Sequence, residues 1–88
     1  MSALTREAIY QAVDAEIERA RDKYPASDAE NRLMGLSQEI GEALQAVSKW
    51  RICQTDETRD HAREELIQSI GQHIRALEEL GLWERCPV

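Results

Sequence analysis

The sequence predicts an all-α protein: three main amphipathic helices forming a bundle that homo-oligomerisation completes. Apolar residues recur at three- and four-residue steps through three segments, the spacing that gathers side chains on one helical face. No segment shows the period-two alternation of a half-buried strand. Four glycines and two prolines in 88 residues leave those segments room to be long. At that length the chain is one domain, residues 1–88. Such a domain buries only roughly 60–65% of its unfolded surface, so a core shared between copies is expected.

The first helix runs from about Leu4 to Tyr24. Ala8, Ile9, Ala12, Val13, Ile17 and Ala20 share one face, while Glu7, Asp14, Glu18 and Arg21 take the solvent side. Ser2 or Thr5 caps its start. Pro25 ends it, because the residue before a proline disfavours the α conformation. The second helix opens on Ser27-Asp28-Ala29-Glu30, a capping box in which Ser27 accepts from the N3 amide while Glu30 reaches back. Leu33, Leu36, Ile40, Ala43, Leu44 and Val47 form its stripe, which continues to Trp50 and Ile52. Gly35 and Gly41 interrupt it, each costing up to about 1 kcal/mol against alanine, which a close helix crossing would justify. After a break near Cys53-Gln54-Thr55, the third helix starts on Thr55 or Asp56. Leu66, Ile67, Ile70, Ile74, Leu77 and Leu80 make its stripe, and Gly81 stops it at the C′ position. Trp83, in the tail, docks on the bundle or on a partner subunit. Three such stripes cover one another less well than four, so a dimer forming a larger bundle is the expected assembly.

Charge narrows the function. A formal net charge of -6 opposes non-specific binding to nucleic acid or to an anionic membrane, both of which need a basic face. The basic residues are scattered, so a DNA-reading helix-turn-helix has little support. No apolar run approaches the roughly 20 residues that span a bilayer. The start, Met1-Ser2-Ala3-Leu4-Thr5-Arg6-Glu7, has no signal-peptide pattern, and a cytoplasmic location is expected. Cys53 and Cys86 fit no metal or redox spacing and read as free thiols of a reducing cytosol, the alternative being a disulfide between them.

One stretch carries chemistry. In Leu36-Ser37-Gln38-Glu39-Ile40-Gly41-Glu42-Ala43-Leu44, the two glutamates are three apart and so adjoin on one flank of the apolar stripe. Two carboxylates beside a core-facing stripe repel each other and lose hydration unless something cationic lies between them. A hard divalent ion such as Mg²⁺ fits, since it takes oxygen ligands and keeps waters that substrate phosphates displace. Glu65 and Gln68 flank the third stripe in the same way, with Gln72 one turn on. Antiparallel packing of the second and third helices, which their short connection implies, would bring these groups to Glu39 and Glu42. Against this stands the ordinary reading: glutamate pairs are common on solvated faces of a chain with 17 acidic residues.

Glu39-Ile40-Gly41-Glu42 and, 22 residues beyond, Glu65-Leu66-Ile67-Gln68 resemble the E-x-x-E … E-x-x-D signature of the MazG-like branch of the all-α nucleotide pyrophosphohydrolases. Glu18-Arg19-Ala20-Arg21-Asp22-Lys23-Tyr24-Pro25 is similar to the end of the first helix in small, phage- or mobile-element-borne members. The likeness spans about residues 9 to 80. It implies a homodimer or homotetramer of helical bundles that binds Mg²⁺, or Mn²⁺ in its place, and splits a nucleoside triphosphate into a monophosphate and pyrophosphate. Glu39, Glu42 and Glu65 are the implied metal ligands and catalytic carboxylates, and one of them orients or deprotonates the attacking water. Gln68 departs from the pattern, which has Asp there. Its amide oxygen can ligate Mg²⁺ but brings no charge, which weakens metal affinity and makes a second ion harder to hold. The alternative is a non-catalytic helical module, derived from that fold, that oligomerises and binds a partner.

Lys49 and Arg51 can meet substrate phosphates or simply answer the dipole of their helix. Trp50 can stack on a base or fill a core or subunit contact. His61, one turn before Glu65, reads as a solvent-exposed first-turn residue, and His73 as a satisfied, half-buried one rather than a ligand. No nucleophile motif and no glycine-rich phosphate loop is present, which leaves covalent and P-loop mechanisms unsupported.

Overall fold

The computed structural model describes residues 5–23 and 29–82. They form three helices and no strand: α1 Arg6–Lys23, α2 Ala29–Ile52 and α3 Asp56–Glu79. Thr5 caps α1, its hydroxyl accepting the Ala8 amide at 3.1 Å. At the head of α3, Thr55 accepts the Thr58 amide while the Thr58 hydroxyl accepts the Thr55 amide, each at 3.1 Å. Thr55, not Asp56, is therefore the cap. Gly81, at φ 73°, closes α3 with its amide on Glu78 O and the Leu82 amide on Leu77 O, a Schellman ending that needs the left-handed conformation. The calls on Ser2, on the Ser27-Asp28 half of the second capping box, on Trp83 and on Cys86 lie outside the described residues.

α3 is the central element, packing against both α1 and α2, whereas α1 and α2 make no Cα approach within 8 Å. The pairing of contacts gives the directions. Glu16 and Ile17 lie against Gly71, and Arg21 pairs with Glu78 at 2.9 Å, so α1 runs parallel to α3. Arg32 reaches Gln72 and Glu79, so α2 returns antiparallel, as the short Cys53–Thr55 connection requires. Arg21 was expected on the solvent side; it is half-buried because Glu78 draws it onto α3.

A set of ion pairs ties the beginning of α2 to the end of α3. Glu79 accepts Arg32 Nε at 2.6 Å on one oxygen and Arg75 Nη2 at 3.1 Å on the other, and Gln72 Oε1 accepts Arg32 Nη1 at 3.0 Å. Arg75 is 1% exposed and is the largest fully buried side chain described. Two buried guanidiniums sharing a carboxylate fix the α2–α3 register more narrowly than non-directional apolar contact can.

The apolar interior is made of Val13 and Ile17 of α1 with five alanines: Ala20 of α1, Ala43 and Ala46 of α2, Ala62 and Ala76 of α3. Part of the bulky α2 and α3 stripes turns outward instead. Leu33, Ile40 and Leu44 on α2, and Leu66, Ile70 and Leu77 on α3, are all exposed, Leu44 to 68%. At 100° per residue each trio spans under about 60°, so α2 and α3 each present one exposed apolar strip. The close helix crossing falls at Gly71, where an added Cβ would lie 3.4 Å from Glu16 Cγ. Gly35 and Gly41 meet nothing within 4 Å. Gly41→Ala is therefore expected to stabilise the chain by about 1 kcal/mol, raising Tm by about 4–8 °C. An unchanged or lower Tm in thermal unfolding would mean that something outside this chain packs on Gly41.

Candidate metal centre

Glu39 and Glu42 project from consecutive turns of α2, and Glu65 from α3. Glu42 and Glu65 stand nearly equidistant from the Cys53–Thr55 connection, so the antiparallel hairpin sets them side by side. One carboxylate oxygen from each of Glu39, Glu42 and Glu65 lies within 4.8 Å of the others. Glu42 is exposed; Glu39 and Glu65 are half-buried. The Oε2 atoms of Glu39 and Glu65 are shut off from solvent without a hydrogen-bond partner. A buried anionic oxygen with no donor is costly, of order 1–3 kcal/mol or more.

Electrostatics reports the same strain. Burial raises the Glu39 carboxyl above its ordinary 4.5, with Glu42, Glu65 and Glu16 adding repulsion and Arg19 opposing it. Burial raises Glu65 as well, joined by repulsion from Glu42; His61 opposes, and a hydrogen bond shared with Glu42 favours a proton on the pair. Three convergent acids, two with orphaned inner oxygens, fit a hard cation bound by oxygen. An all-carboxylate set suits a hard cation, Mg²⁺, Ca²⁺ or Mn²⁺ alike, rather than a thiophilic metal.

Gln68 is half-buried and its amide nitrogen donates weakly to Glu64 Oε1 at 3.5 Å. It lines, with Glu39, an open groove of about 840 Å³ between α1 and α3. Arg19, Lys23 and Arg63 face the same groove, as does Glu16, whose carboxylate Arg19 grips in a fork at 2.6 and 2.9 Å. None of these four stands in the acidic signature, and only helix packing brings α1 beside it. The legible signal was the α1 face itself, where Glu16, Arg19 and Lys23 recur at three- and four-residue steps.

Other candidates take different positions. Gln72 lines the same groove as Gln68, and its Oε1 accepts from Arg32 Nη1. Lys49 is exposed in the last turn of α2. Trp50 is half-buried in a separate apolar pocket of about 290 Å³, with Val47, Leu66 and the stem of Arg63, so Arg63 borders both hollows. His61 is exposed and 3.9 Å from Glu65, outside the carboxylate cluster. His73 is satisfied through Nδ1 and Ser69 O at 2.7 Å, but it is exposed rather than half-buried because it sits on the uncovered face of α3. Cys53 is an exposed free thiol.

The fold and the cluster thus define a class: an all-helical chain with three acids converging across an antiparallel helix pair. Comparison with family models, curated proteins and solved structures gave no match, so the site is read from its own geometry. Among the described residues no helix is long and apolar enough to cross a membrane.

Proposed function

We propose that this chain is a Mg²⁺-dependent nucleoside triphosphate pyrophosphohydrolase, with Mn²⁺ serving in place of Mg²⁺. The observation that carries the reading is the convergence of Glu39, Glu42 and Glu65 with two inner oxygens left without donors. The resemblance of the glutamate spacing to the MazG-like signature supports it independently of the packing. Glu39, Glu42 and Glu65 would hold the ion, with Gln68 as a neutral fourth ligand. When bound, the cation supplies charge neutralisation at phosphate oxygens and orientation of water.

The chain's own groups do the rest. One carboxylate of Glu39, Glu42 and Glu65 would orient or deprotonate the attacking water. The water oxygen bonds to phosphorus at the α–β linkage, the bond to the bridging oxygen breaks, and monophosphate and pyrophosphate separate. The exposed apolar strips of α2 and α3 serve a second copy of the chain, giving a homodimer or a homotetramer. Each of their six half-wet leucine and isoleucine side chains would contribute roughly 1 kcal/mol on burial. The Trp50 pocket suits an apolar or aromatic group, including a nucleobase; the alternative for Trp50 is that subunit contact.

Gln68 in place of Asp favours a second reading, a bundle that keeps the fold and the oligomer without hydrolysis. Pyrophosphate release from a panel of canonical and oxidised NTPs and dNTPs, with Mg²⁺ or Mn²⁺, separates the two. Release by the wild type, reduced at least about 100-fold in Glu42→Gln, is the expected result, because removing a ligand carboxylate removes charge stabilisation needed at the phosphates. No release from any substrate by folded protein would leave the binding module.

A further inference from the structure

We draw no further inference here: the strongest candidate, the exposed apolar strips of α2 and α3 with the Trp50 pocket beside Leu66, carries nothing beyond the second copy already proposed for it, because nothing in the structure shows what covers it.

Discussion

Glu79→Ala is expected to destabilise the chain by about 3 kcal/mol, because it leaves two buried guanidiniums without the carboxylate they share. For a domain of this size that is a fall in Tm of about 12–24 °C. Arg32 would keep Gln72 as a partner, but Gln72 carries no charge to offset a buried cation. A small opposing gain comes from removing an anion from the C-terminal turn of α3, at most about 1 kcal/mol. The control is Glu30→Ala on exposed α2 surface, expected within about 0.5 kcal/mol of the wild type. The triple variant Arg32→Met/Arg75→Met/Glu79→Leu, which removes the buried charges together, should recover much of the loss. A fall in Tm under about 2 °C for Glu79→Ala would show that water reaches the network and that it does not set the α2–α3 register.

Glu65→Gln is expected to move stability in opposite directions with and without metal. In the metal-free chain it removes one of three repelling acids, so Tm should rise by a few degrees. In millimolar Mg²⁺ the wild type should gain stability, since an ion that binds only the folded state must raise Tm. The variant should lose that gain. The pH dependence carries the same sign. Glu39 and Glu65 hold their protons to higher pH in the folded chain than the ordinary 4.5 of an unfolded one. Folded protein therefore binds more protons above 4.5; their contribution to stability is complete below that value and is lost as pH rises through the raised values. With Mg²⁺ the order reverses, because the ion needs both carboxylates ionised and its effect fades as pH falls through the same interval. Melting curves from about pH 4.5 to 8 in chelator and in Mg²⁺ read both trends. Parallel curves for wild type and Glu65→Gln in the two buffers would remove Glu65 from the centre.

Periodicity alone made the three helices legible, together with Thr55, Gly81 and the short Cys53–Thr55 connection, because these are local matters of φ/ψ preference and hydrogen-bond capping. The same connection made the meeting of Glu39, Glu42 and Glu65 legible, since an antiparallel hairpin pairs positions equidistant from its turn. The facing of the stripes was not legible. A stripe identifies which residues share a helix face but not which partner covers it. Here alanines, Gly71 and buried arginines fill the inside, while Leu44 and its neighbours face out. Glu78 and Glu79 are acids at the C-terminus of α3, where they oppose the helix dipole and so hint at cations elsewhere.

By itself, then, the sequence determined the helical class, the two ends of α3 and the acidic positions, because each depends on residues within a turn or two of one another. Tertiary structure alone decided that α1 lies parallel to α3 and brings Arg19 and Lys23 to the groove beside Glu39. It also decided that Arg32 reaches Glu79 across 47 residues of chain. Those outcomes depend on how whole helices cross, and helix crossing is settled by the summed packing of small residues and desolvated charge rather than by any one local preference.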